Sequence, residues 1–437
     1  MPLAFAPSER HPLIDTLLRT RVPRWTELNL AIDERDDMLD FAISMFGHDR
    51  DRALVSYFQN ALEQFELVRH IAGWRGPVRR MLDFASGYGR LTRLLVHQKL
   101  ADEVTVADIL EGGMQFQAEQ FGVRTILSKT RPEELVTPDR YDLIFVASLF
   151  THLPPSTFTP WLRRLAEALE PEGLLIFSVH DESIAPEKVE GGIRFESYSE
   201  SRVLDAEDYG STWVTEGYVR EQVATLGAGY DCVRLPRALA EWQDVYVISP
   251  SPIPDAKPRR TPKGFVDRFA VEQDGVRISG WATLLDERAD RVEIRLEDEV
   301  VATTREFASR PDVAAWLGIP QADAGWEAAI PHGSIRSFRY QAATVSAFSK
   351  GGDERILFLG TLDSLNGHVA HEQVKDLRHQ LDVRGSEIAA LNERVAVTEL
   401  QRAALEQQIA AMKQSRFWRA RDQWFAMKRR FGLTSEL

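Results

Sequence analysis

Residues 81–95 read MLDFASGYGRLTRLL. A short run, Met81 to Phe84, leads into Gly87 and Gly89, one residue apart, after which leucines return at Leu91, Leu94 and Leu95. A brief, mostly apolar run is the pattern of a buried parallel strand, and apolar residues three and four apart are the pattern of a helix. The glycines therefore mark a strand-to-helix turn. Glycine lets backbone approach a ligand closely there, and the helix N-terminus offers N–H groups with no partner of their own.

Working outward, strand-like and helix-like segments alternate from 78 to 250: VRRMLDFA, LTRLLVHQKL, EVTVADI, GMQFQAEQF, VRTILS, YDLIFVAS, TPWLRRLAEALE and GLLIFSV. Such alternation predicts a Rossmann-like, doubly wound α/β sheet. A less regular insert (181–212) follows, then a helix over about 215–226 and two strands, YDCVRLP and DVYVISP, suited to an antiparallel hairpin at the sheet edge. A dinucleotide turn carries a third glycine, in G-x-G-x-x-G. Here Arg90, Leu91 and Thr92 follow Gly89, which disfavours a pyrophosphate site. Asp108 closes the next strand about 20 residues on, where an acidic side chain accepts hydrogen bonds from ribose hydroxyls. Together the two features point to an adenosine-type ligand without a pyrophosphate.

Flanking segments follow other patterns. Residues 1–77 read as a helical cap, clearest where Leu54, Phe58, Leu62, Phe65 and Ile71 recur near helical spacing. The segment 251–264, within SPSPIPDAKPRRTPKG, reads as a proline-rich, extended linker. Residues 265–362 switch to short alternating runs, GVRISGWATL, RVEIRLEDEVV and ATVSAFS, which predict a small β-sandwich. Over 370–414, positions Val374, Leu381, Ile388, Val395, Arg402 and Ile409, with Leu377, Arg384, Leu391, Thr398, Leu405 and Met412 offset by three, are apolar at nine of twelve places, which predicts a coiled coil. Arg384 and Arg402 in that seam would cost stability and set register. Residues 415–437 put Phe417, Trp418, Trp424, Phe425, Met427 and Phe431 largely on one helical face, opposite Arg419, Arg429 and Arg430, with Arg421 and Lys428 interrupting. A basic amphipathic helix of this kind suits a membrane surface, and equally suits docking on a partner protein or on the coiled coil.

Bulk properties narrow the class. The chain's 437 residues suggest several domains, and its net charge of −13 argues against general nucleic-acid binding. No apolar run approaches the roughly 20 residues of a membrane span, and the N-terminus lacks the pattern of a secretory signal. A single cysteine, Cys232, excludes an internal disulfide and a cysteine metal cluster, and fits a cytoplasmic setting.

The run DFASGYG (83–89), Asp108, YDLIFVASLFTHLP and EALEPEGLLIFSV resemble the class I S-adenosylmethionine-dependent methyltransferases, over roughly 78–250. GYGRLTR with SLFTHLP is similar to bacterial members associated with surface-polysaccharide assembly. VRISGWATL with SRPDVAAWLG resembles an accessory module beside bacterial glycan-modifying enzymes, and the SRFWR tail the ends of glycan-assembly proteins. The resemblance implies S-adenosylmethionine as cofactor. It places Asp83, Ala85, Ser86, Gly87, Tyr88, Gly89 and Arg90 around the methionine part, Asp108 and Ile109 at the ribose, Ser128 and Lys129 beside the adenine, and Ala147 and Ser148 beneath the methyl group. Two positions depart from the family: Ala85 stands where it has glycine, tolerable if the local dihedrals are ordinary, and no acidic residue stands at Ser128.

Methyl transfer is an in-line displacement governed by positioning, to which a base adds when the acceptor is a hydroxyl. His152 and His180 lie just past strand ends, and Asp181 is placed to orient His180. His152 in FTHLPP equally suits capping the following helix or packing the loop, and Tyr198, Tyr209 and Trp213 of the insert suit either a sugar ring or loop packing. The expectation is a cytoplasmic enzyme, peripheral on the inner membrane face, that O-methylates a bacterial glycan or its lipid-linked precursor. It would form a homo-oligomer through its coiled coil and meet glycan-assembly proteins. The alternatives are a methyltransferase for a small metabolite or nucleotide sugar, and an inactive scaffold.

Overall fold

The apolar runs of the central segment become five parallel strands, and the turns between them carry the candidate residues. The computed structural model describes residues 11–47, 49–197, 204–240, 242–253, 261–320 and 322–431. Tyr198, most of the proline-rich segment (254–260) and the end of the tail (432–437) lie outside the described residues. The chain divides into two units, 1–366 and 367–437.

Three helices open the first unit: α1 (Pro12–Arg19), α2 (Asp37–Met45) and α3 (Arg50–Ala72). Asp36 and Asp49 cap α2 and α3, each carboxylate accepting a first-turn N–H, from Met38 at 3.0 Å and from Arg52 at 3.1 Å. Leu54, Phe58, Leu62, Phe65 and Ile71 are all buried on α3.

The central layer comprises β1 (Val78–Phe84), α4 (Thr92–His97), β2 (Ala101–Asp108), α5 (Glu111–Phe121), β3 (Arg124–Leu127), β4 (Tyr141–Val146), α6 (Pro155–Glu167) and β5 (Leu169–Asp181). The strands run parallel in the order β3-β2-β1-β4-β5. The insert is more regular than its sequence suggests. It forms an antiparallel hairpin, β6 (Ile193–Glu196) and β7 (Ser211–Val214), whose second strand pairs with the last two residues of β5. These strands have only four residues each and mix polar with aromatic side chains, so neither alternates clearly in sequence. After α7 (Glu216–Ala224), β8 (Asp231–Leu239) and β9 (Gln243–Ser249) form the expected antiparallel pair, and β9 joins β5.

Two four-stranded antiparallel sheets follow. One orders β10 (Lys263–Glu272), β11 (Gly275–Thr283), β15 (Asp323–Pro331) and β14 (Ala308–Ser309). The other orders β13 (Glu299–Thr304), β12 (Arg291–Leu296), β16 (Ala342–Phe348) and β17 (Glu354–Thr361), while a short helix, α8 (Pro311–Leu317), lies between β14 and β15. Ala342, Ile356 and Leu359 of the second sheet join one apolar cluster with the helical cap and one face of the central sheet. Gln59 of α3 donates to the Ile356 carbonyl at 3.0 Å, and Arg355 pairs with Glu63 at 2.8 Å.

A single helix, α9 (Leu362–Gln414), starts in the first unit and carries the heptad segment of the second, and α10 (Arg416–Arg430) carries the tail. Ser415 ends the first helix and caps the second by accepting from the Trp418 N–H. Ile388, Leu391, Val395, Leu405, Ile409 and Met412 leave a seam of apolar side chains exposed along α9. The two cations that interrupt the apolar face of α10 lie over its rings, Arg421 3.4 Å from the centre of Trp418 and Lys428 4.5 Å from that of Trp424. Among the described residues no helix is long and apolar enough to cross a membrane.

Candidate active site

The glycine turn leaves β1 through three residues of positive φ: Ala85 at +58°, Gly87 at +58° and Gly89 at +79°. Ala85 therefore sits in the left-handed region, so the condition of ordinary dihedrals is not met, and its methyl is held there at a cost of about 1–2 kcal/mol. Its N–H donates to the Ala107 carbonyl at 2.8 Å, which fixes the conformation. Ser148, at the end of β4, is a second non-glycine residue at positive φ, +59°. Both strand ends assigned to the ligand thus carry a non-glycine residue in the left-handed region.

Asp108 ties the turn to the next strand. One carboxylate oxygen accepts the Gly87 N–H at 2.8 Å, and the other accepts the Leu110 N–H at 3.0 Å. Burial raises its pKa, opposed by these backbone donors. Each oxygen keeps a second lone pair, so the group that anchors the loop can also receive ribose hydroxyls. A methyl group built on Gly87 would meet nothing within 4 Å, so the turn opens onto space above it. Asp83 lies beneath, fully buried, accepting from the Thr92 hydroxyl at 2.9 Å. Desolvation first, and the nearby Asp108 charge, push its carboxyl up to about 7.

Ile109 is half-buried beside Asp108, and Ser128 is buried, its N–H donating to the Asp108 carbonyl at 2.8 Å, while Lys129 is exposed. Tyr88 is buried against Phe116, with its rings 6.1 Å apart, and under the Arg35 guanidinium at 5.8 Å. Arg90 lies over Tyr57 of the helical cap at 5.8 Å. Tyr57 in turn donates to buried Asp36 at 2.6 Å and accepts from buried Arg93 at 3.3 Å. Ala147 is partly buried against the cap-side core, and the Ser148 N–H donates to the Ser178 hydroxyl at 2.8 Å.

The insert builds the surroundings of the two candidate histidines. The His152 Nδ1 lies 2.7 Å from the Gly210 carbonyl, which can only accept, so the proton sits on Nδ1 and the lone pair on Nε2. Tyr209 stacks on the same ring at 4.4 Å. His180 pairs in register with Trp213 of β7 on one side and Gln243 of β9 on the other. Its Nδ1 is buried without a protein partner, and burial, with His152 nearby, lowers its pKa to about 4. It is neutral at physiological pH and a weak base. Asp181 does not orient it. Successive strand residues face opposite ways, and the Asp181 carboxylate meets Arg234 at 2.9 Å and the Ser183 N–H at 3.0 Å. The structure therefore brings His152, His180, Tyr209 and Trp213 together and leaves Asp181 in an ion pair.

Three contributors escape sequence reasoning. Gln117 of α5 is fully buried and donates to the Ser86 hydroxyl at 2.8 Å and to the Gly87 carbonyl at 2.9 Å. A glutamine in register with Met114 and Phe121 on the apolar face of MQFQAEQF was the available signal. Gly113 lets α5 approach that same carbonyl. Gln243 donates to the Ser148 hydroxyl at 3.0 Å from a hairpin far along the chain.

Comparison with known proteins adds the following. Residues 46–213 match a family model described as a methyltransferase domain, a span of less than half the chain. No curated protein sequence matches. Among solved structures, DhpI in complex with SAH is 19% identical and covers 49% of this chain and 96% of its own, with a TM-score of 0.33. The 1,6-didemethyltoxoflavin-N1-methyltransferase of Burkholderia thailandensis, with bound 1,6-didemethyltoxoflavin and S-adenosylhomocysteine, is 20% identical over 48% of this chain and 85% of its own (TM-score 0.33). An S-adenosylmethionine-dependent methyltransferase from Clostridium acetobutylicum is 12% identical over 48% and 99% (TM-score 0.35).

Proposed function

We propose that this chain is an S-adenosylmethionine-dependent methyltransferase that O-methylates a sugar of a bacterial surface glycan or of its lipid-linked precursor. The observation that carries the reading is the glycine turn held by Asp108, within a segment that matches a methyltransferase domain. Open space over Gly87, two anchored carboxylate oxygens with spare lone pairs and the missing third glycine fit an adenosine carrying no pyrophosphate. S-adenosylmethionine would supply an activated methyl group. The chain's own task is then to hold an acceptor hydroxyl in line and take its proton. His152 is oriented for this, because the Gly210 carbonyl fixes its tautomer and Tyr209 its plane. His180 contributes an unpartnered acceptor nitrogen that a substrate hydroxyl can satisfy. Tyr209 and Trp213 give the acceptor side the aromatic faces a sugar ring packs against.

In this account α9 pairs with further copies of itself, since its exposed apolar seam lacks a cover within the described residues, and α10 lies on an anionic membrane surface. The test is incubation of the full chain with methyl-tritiated donor and a lipid-linked glycan fraction, beside free sugars and nucleotide sugars. Label in the O-methyl sugars of the glycan fraction supports the proposal. Label only in free or nucleotide sugars makes the enzyme a small-metabolite methyltransferase.

A further inference from the structure

Three tryptophans distant in sequence form a chain between the sandwich and the central sheet. Trp281 lies two residues before the end of β11 and is only 8% exposed. Trp316 of α8 packs edge-on against it with ring centres 5.9 Å apart, and against Trp242, at the β8–β9 turn, also at 5.9 Å. Yet Trp316 and Trp242 remain 56% and 50% exposed. Large aromatic rings left half in water on adjoining elements are costly unless something covers them.

Their place in the fold says what would do so. Trp242 directly precedes Gln243, whose side chain bonds Ser148 and whose backbone pairs with His180. Trp213, His180 and Gln243 thus stand on three adjacent strands at the ligand-side end of the sheet, a row of about 10 Å at ordinary strand spacing. Trp242 comes one residue before Gln243, in the turn at the end of that row. Edge-to-face rings with half their surface in water, beside a mouth lined by Tyr209 and Trp213, suit a ligand of repeated flat, apolar faces edged with hydroxyls. The net charge of −13 offers no attraction for an anionic one.

We propose that Trp242 and Trp316 form an acceptor subsite for a neutral sugar residue next to the one methylated, so that the accessory sandwich completes the active site and the substrate is an oligosaccharide. This rests on the methyltransferase reading for the identity of the mouth it extends. The step itself is binding; no bond is made or broken at the tryptophans.

The experiment uses the full chain on an array of neutral bacterial polysaccharides, defined oligosaccharides and their monosaccharides. The wild type, Trp242→Ala, Trp316→Ala and Trp316→Phe are compared, and each is titrated separately with S-adenosylhomocysteine. The expected result is retention on one or more oligosaccharides but not on the matching monosaccharides. Either alanine variant should weaken it at least about tenfold, and phenylalanine should largely restore it, with S-adenosylhomocysteine affinity unchanged throughout. Absence of wild-type retention on every glycan would overturn the subsite. So would retention indifferent to both alanine substitutions, including the case in which they only lower the melting temperature, which makes the pair an interdomain clamp. Failure of the wild type to bind S-adenosylhomocysteine would instead remove the methyltransferase reading, with the array still deciding whether the pair holds sugar.

Discussion

Adding one methyl group at Gly113 separates two contributions of opposite sign. In an exposed helix, Gly→Ala stabilises by up to about 1 kcal/mol through lost unfolded-state freedom. At Gly113 a Cβ would stand 2.5 Å from the Gly87 carbonyl oxygen and 3.2 Å from its carbon, both backbone atoms. Relief requires α5 or the glycine turn to move, and that carbonyl also accepts from Gln117, a bond worth about 1 kcal/mol. Overpacking against rigid neighbours costs about 1–3 kcal/mol. The sum for Gly113→Ala is a net loss of about 1–3 kcal/mol, with a displaced turn. Gly112→Ala is the control, because its Cβ would meet chiefly the end of the Arg35 side chain, at 2.8 Å, which can swing aside. Thermal unfolding and S-adenosylhomocysteine titration of the full chain read both effects. Gly113→Ala should melt lower and bind at least about tenfold more weakly, while Gly112→Ala should differ little from wild type. A Gly113→Ala protein of raised melting temperature and unchanged affinity would refute the close approach of α5 to the turn.

Other consequences follow from the same geometry. Asp83 ionises at about 7 in the folded chain against 3.8 for an ordinary carboxyl, so its contribution to stability is full below about pH 4 and is lost as pH rises through about 7. The melting temperature of the wild type relative to Asp83→Asn should fall over that window, on the order of a few kcal/mol in all; a pH-independent difference would mean that Asp83 is ionised throughout. If α9 self-associates, the double substitution Ile388→Lys and Leu391→Lys should lower the sedimentation mass of the chain, and an unchanged mass would place its contacts elsewhere. Removal of 415–437 should abolish co-sedimentation with vesicles containing phosphatidylserine; persistence of binding would make α10 a protein-docking helix.

Much of this was legible because physics acts locally on it. A parallel strand covered on both faces reads as a mostly apolar run, so MLDF, TVAD and LIFV announce themselves, and a turn that needs positive φ announces itself through Gly87 and Gly89. What stayed hidden depends on residues far apart. Nothing in HDE predicts that Asp181 will meet Arg234, 53 positions on, rather than its neighbour. The dihedral of Ala85 follows from a hydrogen bond to Ala107 that exists only once β1 and β2 pair. The hairpin β6–β7 is held by the end of β5 more than by its own alternation, and the meeting of Trp242 with Trp316 requires the sandwich to be in place.

The central claim is that the Asp108-anchored turn holds an adenosine-type methyl donor. Calorimetric titration of S-adenosylmethionine into the full chain and into Asp108→Ala tests it most directly. Binding near micromolar, weakened by about 1–3 kcal/mol in the variant as its hydrogen bonds are lost, is the predicted result. No binding to the wild type, or equal binding to both proteins, would contradict it.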